Sequence, residues 1–371
     1  MTLNECKFVG ECGSCTLNLG YDEQVEFKKK FIKEEFKDFY RGEFEFFASS
    51  AKNYRSRAEF GIYHEGERLS YYMRARERKF VLIDECAKVE VKIANLMTPL
   101  LEFIEKNESL KHKLFAIEFI STKDSLLAML LYHKRLDGLQ SEFDALASEF
   151  NISVIARSRG QKLVSGGENL SERLYIDGAE YKFSFSEGAF IQPNRAVNEK
   201  MISWAKGCVD SADDLLEMYC GHGNFTIPLA GKFKRVLATE ISKNSIANAL
   251  KNCELNGAKN IKFIRVSSEE LMQAFSGVRE FRRLEGVNLK DFNFSHILVD
   301  PPRAGLDMSV VNFIKNYENI IYISCSPASL KENLKELCKS HEVAKFAIFD
   351  QFANTMHIEC GVLLRKKDEC R

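Results

Sequence analysis

The hydrophobic pattern divides this chain into two regimes. After residue 185, short apolar runs alternate with helical stretches. Strands are expected at 214–218, 235–239, 261–265, 296–299, 319–323 and 343–348. Helices are expected at 195–206, 224–232, 243–256, 308–315 and 329–339. That alternation predicts a doubly wound, mainly parallel sheet. Before it, residues 22–40 predict a helix in which Lys and Glu interleave with Phe27, Phe31, Ile32 and Phe36. From about 43 to 175 the pattern is β-like with one or two helices. Glu59 to His64 alternates and turns at Glu65-Gly66. Runs at 114–120 and 125–133 predict two strands, 88–106 an amphipathic helix and 160–169 a loop. Three units are expected: 1–42, a cysteine-rich segment and helix; 43–184, an α+β unit; and 185–371, the parallel α/β unit.

Composition narrows the class. The chain has 371 residues, is 45% hydrophobic and carries a formal net charge of +0. It is long enough for more than one core, and any nucleic-acid partner must be held by a local basic patch. No apolar run approaches membrane-spanning length, and no leader pattern precedes the first helix. A cytoplasmic protein without a membrane is expected. Eleven cysteines in such a chain argue for thiol, metal or cluster chemistry before disulfides.

Two ligand-binding features stand out. Asp214-Leu215-Leu216-Glu217-Met218-Tyr219-Cys220-Gly221-His222-Gly223-Asn224 is a strand, a glycine turn and a helix start. The next strand ends at Glu240, placed to accept the ribose hydroxyls of an adenosine cofactor. No third glycine follows at the dinucleotide spacing, which favours S-adenosylmethionine. Further on, one strand ends in Asp300-Pro301-Pro302-Arg303 and the next in Ser324-Cys325-Ser326-Pro327; a late segment carries His357-Ile358-Glu359. Ligands bind at the carboxyl ends of such strands, so one crevice can hold Glu240, Asp300 and Cys325. A thiol, a carboxylate base and a methyl donor are what methylation of a pyrimidine C5 requires. The thiolate adds to C6, C5 takes the methyl, and a base removes the C5 proton. Cys325 is the candidate nucleophile and Glu359 the candidate base.

These segments resemble the S-adenosylmethionine-dependent RNA uracil-5-methyltransferase family, and within it the tRNA (uracil-5-)-methyltransferase branch that forms ribothymidine in the T-loop. The resemblance is carried by residues 54–60, 111–115, 131–134, 190–194, 216–225, 277–284, 300–303, 324–327 and 349–352. It implies a Rossmann-like methyltransferase domain at the C-terminus beside an N-terminal α+β RNA-binding region. It implies cofactor contacts from Gln192, Tyr219, Asn224, Glu240 and Asp300, with Cys325 and Glu359 catalytic. The chain departs from the family at Ala353, where proline is usual, and at Met356, where histidine is common. The substrate implied is the T-arm of tRNA, with transfer-messenger RNA beside it and no obligate protein partner. Ribosomal RNA methylation is the alternative, and an RNA-folding factor with secondary catalysis is a second.

A stretch at 52–79 holds eight Lys/Arg against four acids, a local charge of +4, with Tyr54, Tyr63, Tyr71 and Tyr72 among them. Arg55 and Arg57 there, with Arg303, are expected to meet RNA; the resemblance adds Phe115 and His133. Cys6, Cys12 and Cys15 have the spacing C-x5-C-x2-C, with Cys86 as a fourth thiol. In the related ribosomal RNA enzymes this pattern binds a [4Fe–4S] cluster; zinc is the alternative. Such a group is expected to brace the RNA-binding surface rather than the methyl-transfer crevice.

Overall fold

The computed structural model describes residues 6–75, 79–279 and 281–368. Arg76, Glu77 and Arg78 of the basic stretch, Glu280 of the 277–284 segment and Cys370 lie outside the described residues. A helix over Tyr21–Phe36 leads to a short strand, β1 (Phe44–Phe47). A seven-stranded sheet then forms from β2 (Arg57–Glu65), β3 (Arg68–Arg74), β4 (Phe80–Ile83), β5 (Leu114–Ser121), β6 (Leu126–Tyr132), β7 (Ser153–Ser158) and β8 (Gln161–Ser165), in the order β4-β3-β2-β5-β6-β7-β8. β2 shows why. Phe60 and Ile62 are buried while Tyr63 on the other face is exposed, the period-two pattern of a half-buried strand. Helices Val91–Glu105 and Gln140–Phe150 cover the inner face, and Ile93, Met97, Leu100 and Ile104 join Phe60 and Phe119 in one core. The expected loop at 160–169 contains β8, because Gln161–Ser165 completes a hairpin with β7 across Gly160, at φ +74°.

A two-stranded ribbon, β9 (Asn169–Ile176) and β10 (Ala179–Ser186), leads into the second large sheet. Its remaining strands are β11 (Asp214–Met218), β12 (Arg235–Glu240), β13 (Ile261–Arg265), β14 (Phe294–Val299), β15 (Asn319–Ser324), β16 (His341–Phe349) and β17 (Glu359–Lys366). The order is β1-β16-β17-β15-β14-β11-β12-β13. β11 to β15 run parallel, and β17 inserts antiparallel between β15 and β16. Helices on both faces bury two apolar layers against it, the doubly wound arrangement expected. β1 pairs parallel with β16, so Phe44–Phe47 lies in this sheet although its neighbours in sequence build the other. Arg195 joins the two parts: its guanidinium meets Glu90 at 2.9 Å and Glu172 at 2.6 Å.

The first helix corrects the sequence reading. Its buried stripe is Gln24, Lys28, Ile32 and Phe36, while Phe27 and Phe31 are exposed. The fourfold spacing is helical, but two of its members are polar because a loop between β16 and β17 takes their polar atoms. Lys28 Nζ meets Asp350 Oδ1 at 2.6 Å, both side chains fully buried, and also donates to the Phe352 carbonyl at 3.1 Å. Tyr21 donates to the other Asp350 oxygen at 2.7 Å. Gln24 and Asn354 exchange two hydrogen bonds, of 2.9 and 2.8 Å. Removing one partner of a buried ion pair leaves the other charge stranded. Lys28→Met is therefore expected to cost about 3–5 kcal/mol, and Asp350→Asn in the same chain to recover part of it. Urea unfolding of the two variants checks both outcomes.

Candidate active site

The crevice lies at the carboxyl ends of β11, β12, β14 and β15. Tyr219, just past β11, has φ +64°, and Gly221 and Gly223 follow at +57° and +91°. Left-handed backbone is costly for tyrosine, and it folds the turn outward. A Cβ placed on Gly221 would meet nothing within 4 Å, so the turn faces open space. Glu240, the last residue of β12, accepts from the Gly221 N–H at 3.2 Å and the Ser242 N–H at 2.7 Å. A carboxylate has further lone pairs for ribose hydroxyls. Asn224 exchanges amide hydrogen bonds with Asn198 at 2.9 and 3.0 Å. Gln192 accepts from Gln351 Nε2 at 3.0 Å, while the buried Gln351 Oε1 has no partner. This turn, carboxylate and amide set fit an adenosine-bearing cofactor. Gln192 and Asn224 line one small cleft with Arg195 and His222; Tyr219 and Glu240 frame the turn beside it.

The reacting groups meet through sheet register. Ser324 of β15 pairs with Cys360 of β17. Cys325 follows Ser324 and Glu359 precedes Cys360, so both lie at this end of the ladder, and the Glu359 charge acts on the Cys325 thiol. Val299 pairs with Tyr322, which brings Asp300 to the same end. Cys325 is half-buried, and Ser326 caps the following helix through the Ser329 N–H at 3.3 Å. Burial pushes the Cys325 thiol up to about 11; Glu359 and Asp300 add to the shift and Arg303 opposes it. Burial, then the Asp300 charge, pushes Glu359 up to about 8. Burial alone pushes Asp300 up to about 7. No described residue makes a hydrogen bond to the Asp300 carboxylate. Glu217 is a further member that the sequence reading left without a role. It is buried in the middle of β11, pushed up to about 8 by burial, and feels Asp300. The one signal for it was a carboxylate inside the otherwise apolar Leu215–Met218 run.

The four N-terminal thiols come together. Cys6, Cys12, Cys15 and Cys86 line one cavity of about 310 Å³. Gly13 donates to the Arg74 carbonyl at 3.1 Å, and a Cβ there would sit 2.6 Å from that oxygen, so glycine is required. Among the described residues, no three Cys, His, Asp or Glu side chains stand close enough to hold a single metal ion. The same cavity is lined by Arg55, Arg303, Phe352 and His357. It therefore abuts the reaction crevice as well as the basic stretch, where Gly13 meets Arg74, and Lys88 donates to the Ser14 carbonyl at 3.0 Å. The reason is tertiary: Thr16 and Leu17 donate to the Asn354 carbonyl at 2.9 and 3.1 Å, holding the cysteine loop on the segment that leads to Glu359.

The other expected RNA contacts divide. Arg57 is bound internally, to Glu118 at 2.5 Å and the Ala189 carbonyl at 2.8 Å. Arg55 lies over the Phe352 ring, 5.9 Å from its centroid. Phe115 and His133 stack, centroids 3.9 Å apart and 12° from parallel, in an open cleft with Lys134, Arg135, Arg157 and Arg159.

A doubly wound sheet with a glycine turn and an acidic second-strand end, and a thiol and a carboxylate at the carboxyl end of the same sheet, is the arrangement of a nucleoside-cofactor methyltransferase. The chain belongs to the tRNA (uracil-5-)-methyltransferase family, whose model matches residues 20–367, and is an S-adenosylmethionine-dependent RNA (uracil-5-)-methyltransferase. It is 64% identical over 368 residues to a tRNA/tmRNA (uracil-C(5))-methyltransferase of Campylobacter concisus, covering 98% of this chain and all of that one. A protein of the same description from Sulfurovum sp. is 50% identical over 369 residues, covering 98% of this chain and all of that one. The crystal structure of Pyrococcus abyssi tRNA (uracil-54, C5)-methyltransferase with S-adenosyl-L-homocysteine superposes with a TM-score of 0.72 at 24% identity, over 96% of this chain and 86% of that one. It shares the fold. Among the described residues no helix is long and apolar enough to cross a membrane.

The raised carboxyls set a pH dependence. A group whose folded pKa lies above its unfolded value contributes stability at low pH and loses it as pH rises through the folded pKa. For Glu217 that window runs from about 4.5 to about 8. Glu217→Gln is expected to match the wild type near pH 4.5. It should gain on it by up to a few kcal/mol toward pH 8, read from urea midpoints across that range.

Proposed function

We propose that this protein transfers a methyl group to C5 of the T-loop uridine, position 54, of tRNA, and to the equivalent uridine of transfer-messenger RNA, through a covalent Cys325–uracil adduct. The observation that carries the reading is that Cys325, Glu359 and Asp300 gather at one end of β14, β15 and β17, close enough that both carboxyls act on the thiol. S-adenosylmethionine, when bound, supplies an electrophilic methyl on a sulfonium. Gln192, Tyr219, Asn224, Glu240 and Asp300 would hold it. The Cys325 thiolate adds to C6 and makes C5 nucleophilic; after C5 takes the methyl, Glu359 removes the C5 proton and the thiolate leaves. A carboxyl raised toward neutrality is a stronger base than a surface carboxylate. The target base must leave its stack to reach this depth. The Phe115–His133 pair and its basic cleft suit an unstacked loop base and its phosphates, with Arg55 and Arg303 nearer the crevice and Arg57 bracing the sheet beneath. In this reading residues 43–184 recognise RNA, 185–371 carry the transfer, and the protein works in the cytoplasm.

Labelled S-adenosylmethionine with separate tRNA, transfer-messenger RNA and ribosomal RNA tests the substrate. Label at the T-loop uridine is expected; label in ribosomal RNA alone would overturn it. With 5-fluorouridine tRNA the wild type should give an adduct that survives denaturation, and Cys325→Ala none. Glu359→Gln should methylate natural tRNA and then stall as a methylated covalent complex, since nothing removes the C5 proton.

In the same reading Cys6, Cys12, Cys15 and Cys86 bind a [4Fe–4S] cluster. Four thiols on one cavity supply the donor set, and a cluster holds its thiolates farther apart than one ion does. Anaerobic protein should be brown, with about four iron and four sulfide per chain, and Cys12→Ser colourless. Stoichiometric zinc, or no metal, would refute the cluster.

A further inference from the structure

Arg303 reaches from the end of β14 to the 352–357 segment, where its Nη2 lies 3.2 Å from Nδ1 of His357. Arginine has donors and no acceptor, so Nδ1 must be the accepting atom. His357 is then neutral, with its proton on Nε2. Its place is fixed on two sides. Its backbone N–H donates to Thr355 Oγ1 at 3.2 Å, and Phe352 packs edge-on against its ring, centroids 5.8 Å apart at 66°. Burial, followed by the charges of Arg303, Lys28 and Arg55, holds its pKa below the ordinary value, which keeps the accepting form. Arg303 in turn is the cation set against Glu359 and Asp300 in the field of the Cys325 thiol. Two carboxylates and burial oppose the thiolate that the reaction needs, and one guanidinium favours it. Where that guanidinium stands therefore affects how much thiolate forms, and its influence grows when RNA excludes water from the crevice.

We infer that His357 is a positioning residue: by accepting from Arg303 it fixes the guanidinium at the mouth of the reaction crevice, where its charge favours the Cys325 thiolate. The inference rests on Cys325 as the nucleophile but reads a different quantity. It requires of the side chain at 357 an acceptor at this position, not a base.

Iodoacetamide labelling of the full chain, followed peptide by peptide by mass spectrometry, tests it without RNA. His357→Ala is expected to slow alkylation of Cys325 about tenfold, the scale of a lost hydrogen bond to a charged group. His357→Gln, whose side-chain oxygen accepts, should stay within about threefold of wild type by the same scale. Cys253, half-buried on the helix Lys243–Asn256 away from the crevice, should react at the wild-type rate in both. Adduct formation with 5-fluorouridine tRNA should fall by the same factor as alkylation in His357→Ala. Wild-type alkylation of Cys325 in His357→Ala, equal slowing in the alanine and glutamine variants, or equal slowing at Cys253 would each overturn the inference. An adduct persisting in Cys325→Ala would instead remove the nucleophile and leave the alkylation result standing.

Discussion

The buried ion pair between Lys28 and Asp350 holds the reaction crevice in shape. Asp350 is the first residue after β16, and the nine residues from it to Glu359 form the turn before β17. Such a turn would ordinarily be mobile surface. Here Lys28, Tyr21 and Gln24 hold it from one side, while Tyr54 donates to the Ala353 carbonyl at 2.7 Å and Asn354 to the Ala51 carbonyl at 3.0 Å. Asn354 sits at φ +67°, a conformation asparagine tolerates. With the turn fixed, β17 enters the sheet in one register, which pairs Glu359 with Phe349 and Cys360 with Ser324 and so brings Glu359 to the end of the sheet that holds Cys325. A one-residue slip would turn Glu359 to the other face. The family's usual proline at 353 is replaced by a fully buried alanine, and the Tyr54 bond secures that backbone.

The electrostatics of the crevice follow from crowding. Glu217, Asp300 and Glu359 share one end of the sheet, and all three are pushed above the ordinary carboxyl range. Burial stabilises their neutral forms, and the Asp300 charge raises Glu217 and Glu359 further. The free site is thus built to protonate. A bound sulfonium brings a positive charge beside these groups and relieves that penalty, so cofactor binding and carboxyl ionisation favour one another. A base near neutrality and a thiol far above it are opposite problems: the carboxylate gains strength from the same desolvation that suppresses the thiolate. Arg303 meets the second problem without abolishing the first.

The sequence made the parallel sheet legible because each strand there is a short apolar run closed by a glycine, a proline or an acid. β11, β13 and the helix Lys243–Asn256 fall at their expected bounds. Tyr219, Glu240, Asp300 and Cys325 were readable as strand ends for the same reason. β17 was harder. Cys360-Gly361-Val362-Leu363-Leu364 is buried on both faces and shows no alternation, and its direction depends on the preceding turn. β8 was hidden among Gly160, Gly166 and Gly167, whose loop character is local while the pairing with β7 is not. The burial of Lys28 and Gln24 could not be read from a helical wheel, since their partners lie more than 300 residues away.

The contact of the cysteine loop with the 350–358 turn was hidden for the same reason, since its partners lie more than 300 residues away. Thr16 and Leu17 bind the Asn354 carbonyl, and Thr16 Oγ1 accepts from the Met356 N–H at 3.3 Å. The thiol-lined cavity is closed on its far side by Phe352, His357 and Arg303. One cavity thus brings the four cysteines and Arg303 together. A rigid group held by four thiols would press on Phe352 and His357 across that cavity. A collapsed loop would leave them a cavity to move into. The cysteine loop is therefore part of the same mechanical unit as Lys28 and Asp350: Thr16 and Leu17 hold the 350–358 turn from the loop, and Lys28 holds it from the first helix. RNA laid across Arg55 would meet a surface already set by the residues that position Glu359.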